Sequence, residues 1–153
     1  MSATQKVGAL GEELVVTFLM KRGYTILHRN FRKPWGELDV VAEKRGAIHF
    51  VEVKTISRKL DVSDETISQE TVGLNHAKKS VKSIADSVYQ KDRRRPEDNV
   101  NTQKMKRLGR IIQTYLRVEH VSSETKWQFD LATVLLDREK KAAKINLIED
   151  LIL

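Results

Sequence analysis

Two apolar, strand-like segments joined by a short turn constrain the fold of this chain more than any other feature of its sequence. Residues 37–42 (ELDVVA) and 47–53 (AIHFVEV) have the composition and spacing of strands, and Lys44-Arg45-Gly46 between them is typical of a tight turn. Successive side chains of a strand point to opposite faces. The side chains expected to share a face are Leu38, Val40 and Ala42 in the first segment, and Ile48, Phe50 and Glu52 in the second. The sequence therefore predicts a hairpin of two antiparallel strands.

The remaining segments place this hairpin in a mixed α/β fold. A helix predicted from Val7 to Gly23 is apolar around most of its circumference, so we expect it to be largely covered. The other predicted elements are a strand at 24–28, helices at 77–90 and 102–119, and strands at 127–136 and 143–148. We expect one domain over residues 1–153 in the order helix, three strands, one or two helices, two strands, with an extended insertion at about 57–93.

The basic residues are concentrated in one part of the chain. The sequence has 28 lysines and arginines against 21 acidic residues, a net charge of +7. Residues 78–117 contain twelve basic and four acidic side chains, so this stretch alone accounts for the excess. A confined basic excess is typical of a polyanion-binding surface, but a solvated helical face explains the charge equally well.

The composition argues against several classes of protein. The chain has no cysteine, so disulfides and thiolate metal sites are excluded. Its four histidines, at positions 28, 49, 76 and 120, lack ligand-like spacing, and we do not expect a structural zinc site. The apolar run Leu14–Met20 is too short to span a bilayer, and two glutamates precede it where a signal peptide carries positive charge. We therefore expect a cytoplasmic protein with no membrane partner.

Carboxylates within apolar strands need an explanation, because Asp and Glu are depleted in strands and costly to bury. Asp39 lies in the first strand of the predicted hairpin and Glu52 in the second, and Lys54 follows Glu52 at the spacing that points both side chains the same way. The two carboxylates can converge on Mg²⁺, while Lys54 can orient or help deprotonate an attacking water, or stabilise charge on a phosphodiester. A structural ion-pair ladder at a strand edge is the competing interpretation. Glu12, on the first helix, is expected to be partly buried and to need a partner.

These residues resemble a known pattern. Asp39 followed by Glu52-Val53-Lys54 is similar to the Asp…(Asp/Glu)-x-Lys core of the restriction-endonuclease-like superfamily, and the chain resembles more closely the YraN family of predicted nucleases. The matching motifs follow the family's order through most of the chain. They are Gly8-x-x-Gly11-Glu12, Arg29-Asn30-Phe31-Arg32, Gly36-Glu37-Leu38-Asp39, Phe50 to Lys54, Pro96 to Val100, Lys104 with Arg107-Leu108, Tyr115-Leu116 and Phe129-Asp130. Archaeal Holliday-junction resolvases share the looser arrangement of a helix Glu, a strand Asp and Glu-x-Lys.

The resemblance implies a fold, a cofactor and a role for the motif residues. The implied fold is a restriction-endonuclease-like mixed β-sheet flanked by helices, and the implied activity is that of an endonuclease using Mg²⁺ or Mn²⁺. The implied catalytic residues are Asp39, Glu52, Lys54 and Glu12, and the implied metal ligands are Asp39, Glu52, the Val53 carbonyl and Glu12. The residues implied to contact nucleic acid are Arg29, Arg32, Lys33, Lys104, Arg107 and Arg110, with Glu37 supporting Arg29 or Arg32.

Two departures from the family pattern bear on substrate preference more than on the metal site. Thr55-Ile56 follow Lys54 where the family usually carries a basic residue, and the segment from Thr55 to about Arg93 is longer than the family's connector.

Nucleic acid is the expected partner, with structured DNA favoured over RNA and contacts made to its backbone. The alternatives are a nucleic-acid-binding module that keeps the fold without cutting, and an interaction protein whose basic helix contacts an acidic partner. Many enzymes of this fold act as dimers, so a homodimer stays open, although no residue in the sequence demands one.

Overall fold

In the part of the chain that the structure describes, a five-stranded sheet carries one helix on each of its faces. The structure is a computed structural model that describes residues 1–57, 100–137, 139 and 141–151. Its elements are α1 (Ala3–Lys21), β1 (Thr25–Lys33), β2 (Gly36–Lys44), β3 (Ala47–Ser57), α2 (Val100–Val118), β4 (Trp127–Asp137) and β5 (Ala142–Ile148). The expected mixed sheet flanked by helices and the expected order of elements are confirmed.

The strands lie side by side in chain order, from β1 at one edge to β5 at the other. The first three form an antiparallel meander, β3 and β4 pair in parallel, and β5 returns antiparallel to β4. Parallel neighbours need a connection that leaves the sheet and returns, and α2 belongs to that connection. β1 differs most from the prediction, which ended it at residue 28, because its pairing with β2 continues as far as Lys33↔Gly36.

Helix α1 begins at Ala3, earlier than the expected Val7, because a capping box precedes it. Ser2 Oγ accepts a hydrogen bond from the Gln5 N–H at 3.2 Å, and the Ser2 N–H donates to Gln5 Oε1 at 2.8 Å. This exchange satisfies backbone donors that a helix start leaves without partners. The helix ends at Lys21, shortly before Gly23, whose φ of +85° favours glycine.

Each helix packs on its own hydrophobic cluster. The α1 cluster contains Val15, Val16, Leu19, Tyr24, Val40, Ala42, Val51, Ala132 and Val134. The α2 cluster contains Leu38, Val41, Ile48, Phe50, Leu108, Ile111, Ile112, Tyr115 and Phe129. Adjacent residues of β3, such as Phe50 and Val51, belong to different clusters, so the expected alternation of that strand is confirmed.

The alternation of β2 breaks at Asp39, so the expectation that Leu38, Val40 and Ala42 share one face was wrong. Leu38 packs in the α2 cluster, whereas Val40 and Ala42 pack in the α1 cluster. The pairing of β2 with β3 ends at Val40↔Val51. Leu38 and Asp39 therefore lie beyond that ladder, where pairing with β3 no longer fixes the direction of their side chains.

Some of the sequence predictions concern residues that the structure does not describe. The helix predicted at 77–90, all of the insertion after residue 57, and the basic residues between 78 and 99 lie outside the described residues. Among the helices that are described, none is long and apolar enough to cross a membrane.

Helix α1 approaches β3 closely at one glycine. Gly11 is buried, and a β-carbon added there would lie 2.9 Å from Thr55 Cβ, closer than β-carbons come to other atoms in real proteins. Gly8, almost one turn earlier on the same helix, has open space around it. Gly11 therefore sets the distance between α1 and the sheet, and with it the position of the adjacent Glu12.

We expect Gly11→Ala to destabilise the protein by about 1–3 kcal/mol, because the added methyl group overpacks the contact with Thr55. Gly8→Ala is the matched control. It adds the same methyl group to the same helix in open space and should raise the free energy of unfolding by about 0.5–1 kcal/mol. Chemical denaturation measures both differences, and equal stability of the two variants would contradict the close packing at Gly11.

Candidate functional site

Asp39 lies at the point where β2 separates from β3. One residue beyond the last pair of that ladder, Asp39 Oδ2 accepts a hydrogen bond from the backbone N–H of Val53 at 2.8 Å. The N–H and C=O of one strand residue point to the same side, so the Val53 carbonyl is also directed toward the gap beside Asp39. The separation of the strands thus places a carboxylate and a backbone carbonyl next to each other.

Glu52 is held by two ammonium groups. Its Oε1 lies 2.8 Å from Lys104 Nζ on α2 and 3.2 Å from Lys54 Nζ on its own strand. Burial opposes the charge on Glu52, but the hydrogen bond and charge of Lys104, followed by those of Lys54, hold the pKa of Glu52 below its usual value. Burial also opposes the charge on Lys54, but the charge of Glu52, the hydrogen bonds of Lys54 and the charge of Asp39 together outweigh it and raise the pKa of Lys54. The expected common direction of Glu52 and Lys54 is confirmed.

Asp39 is in the opposite electrostatic situation. Burial raises the pKa of the Asp39 carboxyl to about 6. The Val53 N–H lowers this pKa because it donates to the charged form, whereas the carboxylates of Glu52, Glu12 and Glu37 raise it further. Glu52 has its cations in direct contact, and Asp39 faces mainly other negative charges.

Glu12 and Glu37 meet at an asparagine that sequence reasoning assigned no role. With its amide nitrogen turned toward them, Asn30 donates to Glu37 Oε1 at 3.2 Å and to Glu12 Oε2 at 3.3 Å. Asn30 has a φ of +52°, which Asn adopts more readily than most residues. The available signal was an asparagine among strand residues, where this type is depleted. Glu37 also accepts a hydrogen bond from Arg32 Nε at 2.9 Å, the support expected of it.

The carboxylates and lysines just described line one cavity of about 380 Å³ between the sheet and both helices, which we call the acidic cavity. Its carboxylates are Glu12, Glu37, Asp39 and Glu52, its cations are Lys54, Lys104 and Arg107, and its apolar wall includes Leu38, Phe50, Leu108, Ile111 and Phe129. The partial burial expected for Glu12 is confirmed. The structure therefore brings together every residue predicted to bind metal, Val53 included, and the predicted catalytic lysine.

A larger groove of about 710 Å³ adjoins the acidic cavity, and we call it the basic groove. It is lined by Arg32, Lys33, Pro34, Trp35, Gly36, Glu37, Lys106, Arg107 and Arg110. Gly36, Glu37 and Arg107 line both spaces, so the two are continuous. Four of the six residues predicted to contact nucleic acid meet here: Arg32, Lys33, Arg107 and Arg110.

The other two predicted contacts lie elsewhere. Lys104 lines the acidic cavity, where its ammonium group pairs with Glu52. Arg29 pairs with Glu13 of α1 at 2.6 Å and lines neither space. Sequence reasoning named neither Trp35 nor Lys106, although both belong to the groove.

Trp35 connects the β1–β2 turn to α2 through side-chain contacts. Its indole N–H donates to Thr114 Oγ1 at 3.0 Å, and the Arg110 guanidinium lies 4.9 Å from the centre of its ring. These contacts join residues 79 and 75 positions apart in the chain, so no local pattern could have indicated them.

A second polar cluster lies outside the acidic cavity. The ligand-type atoms of His49, Asp130 and Glu149 lie within 4.8 Å of one another. Asp130 is fully buried, and both of its oxygens are used: Oδ2 contacts His49 Nδ1 at 2.6 Å, and Oδ1 accepts from Gln128 Nε2 and the Asp150 N–H. The cluster is explained by its own hydrogen bonds, which attach the C-terminal residues to β4.

Comparison with known proteins shows a likeness along most of the chain. A model of the uncharacterised protein family UPF0102 matches residues 11–134, which include every residue lining the acidic cavity. The chain is 30% identical to a UPF0102 protein of Caldicellulosiruptor bescii over 95% of this chain and 96% of the relative. It is 34% identical to one of Koribacter versatilis over 88% and 72%, and 29% identical to one of Alkaliphilus metalliredigens over 94% and 96%.

We expect the Asp39 carboxyl of the metal-free protein to titrate near pH 6, and Glu12→Gln to lower that pKa because it removes a like charge. Glu13→Gln is the matched control, since Glu13 pairs with Arg29 instead. Carbon-detected NMR of the carboxyl groups measures both pKa values. A pKa of Asp39 near 4 in the wild type would contradict its burial among carboxylates.

The same pKa makes stability depend on pH. An aspartate in an unfolded chain has a pKa of about 3.9. The folded protein therefore binds the Asp39 proton more tightly, and the contribution of Asp39 to the free energy of unfolding falls as pH rises from about 4 to about 6. Asp39→Asn, which does not titrate, should lack this loss.

Proposed function

This chain belongs to the uncharacterised protein family UPF0102, and we propose that it is a metal-dependent endonuclease that hydrolyses phosphodiester bonds in structured DNA. One observation carries the proposal: the Asp39 carboxylate occupies the gap between β2 and β3 and is bonded to the residue that separates Glu52 from Lys54. The resemblance of Asp39 and Glu52-x-Lys54 to the restriction-endonuclease-like pattern supports the same activity.

The donors in the acidic cavity suit a hard divalent cation. Asp39 and Glu52 offer carboxylate oxygens, the Val53 carbonyl is directed to the same gap, and Glu12 lines the cavity from α1. Mg²⁺ and Mn²⁺ prefer oxygen ligands. The like charges around Asp39 are the kind of surroundings that a cation stabilises. When bound, such an ion lowers the pKa of a water ligand and neutralises charge on the phosphate.

Lys54 supplies a positive charge beside these ligands. Its ammonium group pairs with Glu52 and has no lone pair, so it donates hydrogen bonds and cannot accept a proton. In this arrangement Lys54 orients the attacking water or holds a phosphate oxygen and stabilises the negative charge that develops on it. The pairing thus favours these two roles, of the three considered for Lys54, over proton abstraction.

The basic groove provides a path for the phosphate backbone. Arg107 lines both spaces, so a strand held in the acidic cavity continues into the groove past Arg107 toward Arg110. Lys106, Arg107 and Arg110 are exposed and available to phosphates. Such contacts hold the backbone without reading its sequence. The preference for DNA over RNA rests on the family resemblance.

A nucleic-acid-binding protein that retains the nuclease fold without cutting is the alternative. The basic groove favours it, because binding there needs none of the carboxylates. The acidic cavity argues against it, because burying Asp39 among like charges costs stability and binding alone does not need it.

We expect the purified protein to cleave DNA with Mg²⁺ or Mn²⁺ and not with EDTA. Lys54→Ala and Asp39→Asn should each reduce cleavage by about a hundredfold or more, because they remove charge stabilisation and a metal ligand. The assay uses linear, single-stranded, flapped and four-way-junction DNA, with binding measured in parallel. Lys44→Ala is the control, since Lys44 contacts the Tyr24 ring outside the cavity. Binding without cleavage of any DNA would favour the alternative function.

We expect the double variant Arg107→Ala, Arg110→Ala to bind DNA at least about tenfold more weakly, and the slope of log affinity against log salt to become shallower by about two, because two phosphate contacts are lost. Arg117→Ala removes a charge from the last turn of the same helix, outside the groove, and is the matched control. Equal losses in both proteins would contradict the groove as the binding path.

A further inference from the structure

Lys104 is the closer of the two cations that contact Glu52. It reaches Glu52 from α2, at 2.8 Å, whereas Lys54 lies on the same strand as Glu52 and at 3.2 Å. Glu52 is largely buried, and a buried carboxylate gains most from the cation in direct contact with it. Lys104 therefore compensates more of the charge of Glu52 than Lys54 does.

The carboxylate oxygens of the acidic cavity are less closely grouped than the ligand-type atoms of the second polar cluster. Among the described residues, His49, Asp130 and Glu149 form a group of three whose ligand atoms all lie within 4.8 Å of one another. The oxygens of Glu12, Asp39 and Glu52 do not meet that distance. A divalent cation bound to these side chains would draw their oxygens together. Lys104 contacts Glu52 Oε1, one of the oxygens that would have to turn toward the cation.

We propose that the Lys104 ammonium occupies the cation position at Glu52 in the metal-free protein, and that a divalent cation binds by displacing it. This inference rests on the proposed function, because it concerns the same metal site. The exchange replaces one cation by another on a single carboxylate: the ion pair between Lys104 and Glu52 breaks, and no covalent bond forms or breaks.

The displaced ammonium has a second position within reach. Arg107 follows Lys104 by three residues on α2, so both side chains lie on the same side of the helix. Both line the acidic cavity, and Arg107 also lines the basic groove. Released from Glu52, Lys104 joins Arg107 as a donor to a phosphate. Lys104 would thereby make the phosphate contact that the family resemblance implies for it.

A purely structural ion pair makes the opposite prediction. If Lys104 only attached α2 to β3, its loss would destabilise the protein and loosen the cavity, and metal affinity would fall or stay unchanged. If Lys104 competes with the metal, its loss removes both the competitor and its positive charge, and metal affinity rises. The sign of the change in affinity separates the two roles.

The test is isothermal titration of the metal-free protein with Mn²⁺, without DNA. Lys104→Met and Lys104→Gln are expected to bind Mn²⁺ about tenfold more tightly than the wild type, because a charge-assisted hydrogen bond no longer has to be given up. Lys104→Arg keeps the charge and should bind like the wild type. Lys106→Met removes an equal charge two residues away, on the basic groove, and should change affinity little.

The controls separate this inference from the proposed function. Asp39→Asn must weaken Mn²⁺ binding if the ion occupies the acidic cavity. A wild type that binds no Mn²⁺, or an Asp39→Asn variant that binds it as well as the wild type does, would overturn the metal site itself. Mn²⁺ binding that depends on Asp39 but is unchanged or weakened in both Lys104→Met and Lys104→Gln would overturn the exchange alone. Tighter binding in Lys106→Met equal to that in Lys104→Met would also overturn it, because a general charge effect would then suffice.

Discussion

One hydrogen bond, from the Val53 backbone N–H to the Asp39 carboxylate, determines the arrangement around it. With Asp39 bonded there, the β2–β3 ladder stops at Val40, and the sheet opens where both helices border it. The backbone donor offsets part of the cost of burying a charge, but the neighbouring carboxylates add to that cost. The gap thus gives rise to the cavity, and burial there, reinforced by the neighbouring carboxylates and opposed by the Val53 N–H, raises the pKa of Asp39 above that of an ordinary aspartate.

The acidic cavity lies between two hydrophobic clusters and depends on both. Helix α1, packed on one face, contributes Glu12, and α2, packed on the other, contributes Lys104 and Arg107. The close approach of α1 to β3 at Gly11 determines how far Glu12 extends into the acidic cavity, because a side-chain methyl group at position 11 would collide with Thr55. Changes in the packing of either face therefore alter the distances between charged groups in the cavity, even where no charged residue is touched.

The sequence predicted the elements and the charged residues of the acidic cavity better than their contacts. Asp39, Glu52 and Lys54 could be named because carboxylates are conspicuous in apolar strands, and Glu12 because its helix has few charges. The break of alternation at Leu38 could not be seen, since it follows from where a ladder ends. Three contacts join residues far apart in the chain: Lys104 with Glu52, Trp35 with Thr114 of α2, and His49 with Asp130. Each of them depends on how the folded sheet and helices pack. Local sequence patterns do not indicate such long-range contacts.

The β1–β2 turn packs closely against α2 along the basic groove. Trp35 is bonded to Thr114, and Gly36 lies so close to Ile111 that an added β-carbon would come within 3.0 Å of its Cβ. These contacts fix the backbone on both sides of the groove relative to each other. If a polyanion binds there as proposed, it would lose conformational entropy while this part of the protein would lose little. Affinity would then depend on whether the phosphates of the ligand already match the spacing of the cations, so the groove would favour a backbone of suitable stiffness and curvature.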